Sequence, residues 1–492
     1  VLIQEIYSEE LKIVMLDSQK AFKVYRECSA KKRAALLHSI ASELQKESDD
    51  LIQTAMEETN LTAARLRSEL SRTCYQLTSY ADVCETYSWM DLRIETPNNA
   101  VQPLRPDLRK MMVPLGPVLV FGASNFPFAY STAGGDTASA LAAGCTVVVK
   151  AHPAHPQTSL KAAACIQKAL RIEGLNPAIF QHVTGSSAEL ARQLVQDPHT
   201  SAVGFTGSYI GGKQMFDWAA QRKDPIPVFA EMGSTNPVFL LPNALKEKAA
   251  SIAHLIGDSV LQSSGQFCTK PGLLIGIDSP ELDQFIENLK ESFQQAAPSR
   301  LLHPGIQAQY QHSIEMLLGA KGVKIISWNT NTDEQVMPLL AETKVMSWLK
   351  SDSLQQEVFG PFTLLIRCSE REELLELARH LEGQLTATIH AAASDADVIE
   401  VLQKILSAVA GRIIFNGVPT GVSVSWAMQH GGPFPATTDS RFTGVGPDAI
   451  RRFARPVCYQ NCPNQWLPEA LKNENPLNLL RMVNGELTRN TV

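Results

Sequence analysis

One cysteine stands out by its surroundings. Cys268 lies in SSGQFCTKP, residues 263–271, a small, polar, glycine-containing loop that leaves a thiol free to face a cleft. Thiolate is the reactive form, and Lys270 or nearby backbone N–H groups are candidates for lowering its pKa. The chain has nine cysteines, spread from Cys28 to Cys462. Eight therefore compete with Cys268, and a free cysteine is most often a small buried hydrophobe. Glu231 sits between VFA and MGS, at the apolar end of an expected strand rather than on a polar surface. Asn125 precedes Phe126 and Pro127, a setting in which asparagine is common as a turn residue.

Other motifs carry less. GVGPDA, residues 444–449, has dinucleotide-loop spacing but follows DSRFT instead of a buried strand. Ser347 to Lys350 fits S-x-x-K without its partner motifs. G-x-S-x-G and H-E-x-x-H are absent. His152 and His155 are each followed by proline, which prevents a helical metal-binding face. No metal is expected.

The elements that must position these groups follow from hydrophobic period. Residues 1 to about 90 read as helical, with Leu36, Leu37, Ile40, Ala41 and Leu44 on one face after a cap at Ser29. From about Val113, short apolar runs alternate with helical stretches: Val118–Phe121, VVVK ending at Lys150, and GFTGS preceded by AV, with helices expected over 133–143 and 158–170. NPVFLL, GLLIGI, FTLLI, TATIH and GRIIFN continue the alternation, with helices over 244–261 and 371–381. Buried strands separated by helices predict an α/β fold with two Rossmann-like parallel or mixed sheets. The segment after Pro456, rich in Pro, Asn and Gln, is expected to be an extended arm or irregular tail. Met111 to Gly135 is uncharged, but its prolines and glycines exclude a spanning helix. The 492 residues need two or three domains; 44% hydrophobic and 19% charged residues exclude disorder, and a net charge of −6 argues against nucleic acid. Scattered cysteines without a signal-peptide pattern predict a cytoplasmic protein.

Taken together the motifs resemble those of the aldehyde dehydrogenase superfamily. SSGQFCTKP resembles its active-site cysteine loop, FAEMGSTNP from Phe229 its general-base glutamate motif, and SNFP its asparagine motif. VVVK, GFTGS and EVFGP (residues 357–361) match its cofactor lysine, pyrophosphate turn and ribose-binding motif, all in the family's order. The resemblance covers nearly the whole chain and is closest to the 2-oxoglutarate semialdehyde (2,5-dioxopentanoate) dehydrogenases, through FGASNFPFAYSTAGGDTASALAAGCTVVVKAHPAHP, GGPFPATTDSRFT and AIRRFARPVCYQN. ASNFP and EMGS depart from the usual PWNFP and ELGG but keep the reacting side chains.

The resemblance implies that Cys268 attacks an aldehyde, that Asn125 with the Cys268 N–H holds the oxyanion, and that Glu231 activates water on the thioester. Burial is expected to raise the Glu231 pKa toward neutrality. A glutamate here implies a free acid product, since acyl-CoA-forming relatives generally lack it. For the cofactor, Gly207 permits backbone approach to pyrophosphate and Ser208 adds a hydroxyl at a helix N-terminus. Lys150 is implied at the adenosine ribose, with Glu357 and Phe359 at the nicotinamide ribose. Pro153 stands where NAD-preferring relatives carry glutamate, and nothing acidic lies between Lys150 and Gln157. NADP is therefore expected to be accepted and slightly favoured, with NAD also used. Ser423, Ser425 and His430 are candidate anchors for a substrate carboxylate. Alternatives are an NADP-dependent medium- or long-chain aldehyde dehydrogenase and, from another class, a thiol hydrolase or esterase on Cys268. The expected domains are cofactor-binding over 1–231, with a returning segment near 430–455 and an oligomerisation strand near 100–112. A catalytic domain over 232–429 and a C-terminal arm over 456–492 complete the chain. The expected partners are a small aldehyde and further copies of the chain in a homodimer or homotetramer, with no membrane.

Overall fold

The computed structural model describes residues 8–328 and 335–492; the start of the expected first helical region, residues 1–7, lies outside them. Four helices come first: α1 Ser8–Tyr25, α2 Ala30–Lys46, α3 Ser48–Thr59 and α4 Ala63–Thr86. Ser29 caps α2 by accepting the Lys32 N–H, as its type and position require. Strands β1 Arg93–Glu95 and β2 Leu108–Pro114 follow. A strict alternation then begins: β3 Val118–Phe121, α5 Gly135–Ala143, β4 Val147–Lys150, α6 Pro156–Ile172, β5 Phe180–Val183, α7 Ala188–Gln196, β6 Ala202–Thr206, α8 Tyr209–Ala220 and β7 Val228–Glu231.

The second half runs β8 Val238–Leu240, α9 Pro242–Leu261, β9 Leu273–Ile277, α10 Pro280–Gln295, α11 Pro304–Leu318, β10 Lys324–Trp328 and β11 Leu339–Lys344. It continues through α12 Val345–Leu349, α13 Asp352–Gln355, β12 Phe362–Cys368, α14 Arg371–Arg379, β13 Gln384–His390, α15 Ala396–Val409 and β14 Ala410–Phe415. A long irregular segment leads to β15 Ala454–Gln460, β16 Arg481–Val483 and β17 Glu486–Thr488.

Three sheets result. The first is parallel throughout, in the order β5-β4-β3-β6-β7. Its strands are buried on both faces: Val118 and Val120 pack with α2 and α4 to α6, while Leu119 and Phe121 pack with α1, α7 and α8. Burying one such side chain contributes about 1.5–3 kcal/mol, which is why these runs are continuously apolar. Strand order reverses between β3 and β6, and ligands of open α/β sheets bind outside the carboxyl ends of strands at such a point.

The second sheet has the order β10-β11-β12-β9-β8-β13-β14 and is parallel except for β10. The third, β15-β2-β1-β16-β17, gathers the strands outside the alternation. The segment after Pro456 is thus less irregular than expected: β15 pairs antiparallel along the whole of β2. Among the described residues no helix is long and apolar enough to cross a membrane; Met111 to Gly135 forms the end of β2, β3 and a turn into α5.

Candidate active site

Five of the singled-out residues stand at the carboxyl edge of the parallel sheet, because strand register puts them there. Phe121 pairs with both Lys150 and Phe205, and Thr206 pairs with Glu231. Asn125 follows β3 by four residues, and Gly207 and Ser208 follow β6 directly. Lys150 is buried at the end of β4. Gly207 and Ser208 are exposed at the N-terminus of α8, where the Ser208 hydroxyl accepts the Gly211 N–H at 3.3 Å. That terminus is open to an anion.

Glu231 is fixed through its backbone. Its carbonyl accepts the Gly207 N–H at 3.0 Å, and the next N–H, of Met232, reaches Ala436 O at 2.8 Å. Its buried carboxylate accepts the His430 Nε2–H at 2.9 Å, and the same nitrogen lies 3.8 Å from Cys268 Sγ. The sulfur, the imidazole and the carboxylate all lie within 4.8 Å of one another. Burial pushes the Glu231 carboxyl up, but the charge and hydrogen bond of His430 and the hydrogen bond of Cys268 more than offset it. The net result is a pKa below the ordinary carboxylate value, contrary to the expected rise.

Cys268 keeps part of its surface open to the cleft. Its thiol is nevertheless raised well above the ordinary value, by burial first, then by the negative charge of Glu231 and its hydrogen bond. Lys270 does not lower it. The Lys270 ammonium points away, donating to Val358 O at 2.9 Å and Phe362 O at 2.8 Å. It serves to join the loop of Cys268 to the loop of Glu357. Burial pushes Lys270 down to about 8 and Glu357 up to about 7.

The loop of Cys268 is held from three sides. Ser263 and Ser264 take left-handed backbone at φ +48° and +56°, a conformation that costs energy in non-glycine residues. Gly265 follows at φ +66°, where a Cβ would stand 2.2 Å from Gly360 O. Asn236 donates its amide to Cys268 O at 2.8 Å and Lys270 O at 3.0 Å. Asn125 Nδ2 donates to Gln266 O at 3.0 Å. An amide carries two N–H bonds, so this contact fixes the group and leaves its second hydrogen for a ligand. Glu357 meets the Glu231 strand exit closely: a Cβ on Gly233 would fall 2.3 Å from its Oε2. Phe359 is half-buried beside it.

Sequence reasoning missed the helix that clamps these loops. Arg65 on α4 donates to Asn125 O at 3.2 Å, and its guanidinium lies over the rings of Phe126 and Phe267, 4.4 and 5.1 Å from their centroids. Arg65 is paired with Glu69 at 2.6 Å, and Glu69 also accepts the Phe128 and Ala129 N–H groups. One buried pair therefore grips the residues next to both Asn125 and Cys268. The i, i+4 spacing of Arg65 and Glu69 was readable as a helical ion pair, but nothing local tied it to loops 60 and 200 residues away. His430 was noticed, but as a tail anchor; the structure turns it onto Cys268 and Glu231 instead. Ser425 is exposed and lines a cavity of about 360 Å³ with Tyr75, Ser79 and Val83 of α4.

A larger cavity, about 710 Å³, lies beyond the end of β4 and is lined by Glu58, Pro153, Arg300 and His303 among others. Glu58 arrives there from α3 and caps α6, accepting from Gln157 N at 2.8 Å, Thr158 N at 2.8 Å and Thr158 Oγ1 at 2.7 Å. The stretch from 151 to 156 lacks an acid in sequence, yet a carboxylate stands beside it in space, with both oxygens engaged.

A thiol, a carboxylate and an amide thus converge at the carboxyl edge of a doubly wound sheet, where open α/β folds bind their ligands. Residues 2–434 match the aldehyde dehydrogenase family, and the chain belongs to that family. It is 44% identical over 475 residues to an alpha-ketoglutaric semialdehyde dehydrogenase of Acinetobacter baylyi, covering 96% of this chain and 90% of the relative. It is 43% identical over 472 residues to alpha-ketoglutaric semialdehyde dehydrogenase 2 of Azospirillum brasilense, covering 95% and 90%. The fold is shared with an NADP-dependent glyceraldehyde-3-phosphate dehydrogenase from Bacillus halodurans solved with NADP, at a TM-score of 0.79 and 22% identity over 93% of this chain and 92% of that one.

Proposed function

We propose that the chain oxidises 2-oxoglutarate semialdehyde (2,5-dioxopentanoate) to 2-oxoglutarate with NADP or NAD. The contact of Cys268 with His430 and Glu231 carries the reading, and the identity to two semialdehyde dehydrogenases supports the substrate. The dinucleotide fits the carboxyl edge described above. The open N-terminus of α8 with Gly207 and Ser208 suits its pyrophosphate, buried Lys150 the adenosine ribose, and Glu357 with Phe359 the nicotinamide ribose. When bound, the nicotinamide supplies the hydride acceptor. With no acid between Lys150 and Gln157 and Glu58 committed to α6, NADP is slightly favoured.

The protein's own groups then act in order. The Cys268 thiol gives its proton to the Glu231 carboxylate as sulfur bonds to the aldehyde carbon. The second Asn125 N–H and the Cys268 N–H receive the oxyanion; one such donor is worth about 3 kcal/mol of barrier. After hydride loss the acyl group remains on sulfur as a thioester. Glu231 releases the thiol proton to solvent; water then attacks the thioester, Glu231 takes the water proton and returns it to the departing thiolate, giving a free acid and not an acyl-CoA. His430 holds the Glu231 carboxylate in place through its N–H and lies within reach of the sulfur.

The first sheet would form the cofactor-binding unit, the second the catalytic unit, and the exposed outer strands β15 and β17 of the third the contact in a homodimer or homotetramer. Nine free cysteines suit a reducing cytoplasm. The test is reduced-nicotinamide absorbance with each cofactor and a panel of charged and aliphatic aldehydes. Oxidation of the semialdehyde should be fastest; no nicotinamide reduction with any aldehyde would overturn the reading.

A further inference from the structure

Two arginines that meet the segment 419–428 have no carboxylate partner among the described residues. Arg72 lies on α4 two turns beyond Arg65 and on the same face. Whereas Arg65 is neutralised by Glu69, Arg72 makes only long contacts: Val422 O at 3.4 Å, Gln76 Oε1 at 3.3 Å and the Tyr130 hydroxyl at 3.5 Å. These lie beyond the range of good N–H···O bonds. Its guanidinium stands 5.4 Å from the Tyr130 ring centroid.

Arg412, from β14, reaches the same segment from the other domain. It donates to Gly421 O at 3.1 Å and to Pro419 O, and lies 4.0 Å from Met428 Sδ. Its Nε is buried without a partner. Burial lowers its pKa, and the groups that offset this are Cys268 and Tyr130, not an acid.

Both cations thus flank residues 419–428, and Tyr130, in contact with Arg72, links this wall to the chemistry. The Tyr130 ring lies 6.1 Å from the His430 ring, and His430 is 3.8 Å from Cys268 Sγ. Two uncompensated guanidinium groups in a partly buried wall are costly unless an anion visits them. A planar fork suits a carboxylate, and with a neighbouring keto oxygen it offers a second acceptor.

We propose that Arg72 and Arg412 anchor the carboxylate at the far end of the aldehyde substrate, and so determine specificity for acid-terminated over plain aliphatic aldehydes. This rests on the reading of the substrate as an oxo-acid semialdehyde. Its carboxylate carbon is four bonds from the reacting carbon, about 5 Å when extended, so a subsite must begin close to Cys268. The anchor lies on α4 and β14, and not at Ser423, Ser425 or His430.

The test compares 2-oxoglutarate semialdehyde with pentanal, an uncharged aldehyde of equal length, on the full chain with saturating cofactor. In Arg72→Gln and in Arg412→Gln the ratio of kcat/KM for the semialdehyde over pentanal should fall about tenfold to a hundredfold, the worth of a charge-assisted hydrogen bond. The loss should sit mainly in KM, and lysine at either position should recover part of it. Equal losses on both aldehydes would assign the arginines to holding the loop and overturn the proposal, as would an unchanged ratio. A measurement without variants guards against misfolding: pentanoate should inhibit pentanal oxidation more strongly than pentanamide, and equal inhibition would overturn the anchor. If the unsubstituted enzyme prefers pentanal, the substrate reading itself fails, which the variant series alone would not show.

Discussion

Two walls meet at Cys268, and they are built by different means. One is made of strand ends: Lys150, Gly207 and Glu231 are placed by a hydrogen-bonded ladder in which each residue has a fixed partner. The other is made of α4 and the segment 416–430, joined mostly through side chains such as Arg65, Arg72 and Arg412. A ladder cannot move one residue without moving its neighbours. A wall tied by side chains changes its lining through single substitutions while its backbone stays in place. In the proposed reading the first wall carries the shared chemistry and the second the choice of substrate.

The largest expected effects fall where the walls meet and on the first wall. Cys268→Ser should lower turnover on the order of a thousandfold or more, since an alcohol at this position is a far weaker nucleophile. Normal turnover in this variant would end the mechanism. Glu231→Gln should be slower by roughly a hundredfold to ten-thousandfold. A rapid-mixing trace should then show that Cys268 still acylates: near one equivalent of reduced nicotinamide per subunit, followed by a slow phase. Loss of the first phase would show that Cys268 cannot attack without the Glu231 carboxylate.

The second wall should give a smaller and differently shaped response. Glu69→Gln removes the charge that Arg65 pairs with, inside a site where Glu69 also holds two backbone N–H groups. Breaking a buried pair costs about 3–5 kcal/mol, so the thermal midpoint should drop and kcat should fall with it as Asn125 shifts. A variant with native midpoint and native kcat would show that the clamp positions nothing. Arg65→Met tests the same clamp from its other end, and leaves Glu69 as an uncompensated carboxylate.

The contrast between the walls also explains what sequence could show. The strands Val118–Phe121 and Val147–Lys150 were legible because a doubly buried strand must be continuously apolar. The residues at their ends were then legible as site candidates, because chain neighbours of a strand end stay near it in space. The partnership of Cys268 with His430 joins residues 162 apart through a segment with no regular element, and no period marks it. Arg65, Arg72 and Arg412 belong to none of the motifs the sequence offers. Their meaning depends on which carboxylates fail to reach them, which only the packed structure determines. The same blindness applies to Glu58, whose place at the head of α6 comes from a helix about a hundred residues earlier.

The subtlest expectation concerns protons. In the resting site the thiol pKa is raised by burial and by the Glu231 carboxylate, and Glu357 adds negative charge. Negative neighbours make the thiolate costly, so each raises the pH at which sulfur becomes nucleophilic. Alkylation of Cys268 by iodoacetamide, followed by mass spectrometry of the peptide, should therefore rise only on the alkaline side in the unsubstituted chain. Glu231→Gln removes the nearest negative charge while keeping the size of the side chain, so its curve should move to lower pH. Alkylation at a fixed pH near 8 becomes faster as turnover becomes slower. The two changes are expected to have opposite signs, because in the proposed mechanism the same carboxylate restrains the thiol at rest and removes protons during the reaction. A curve that stays in place, or moves to higher pH, would mean that burial alone sets the thiol and that Glu231 acts only on water.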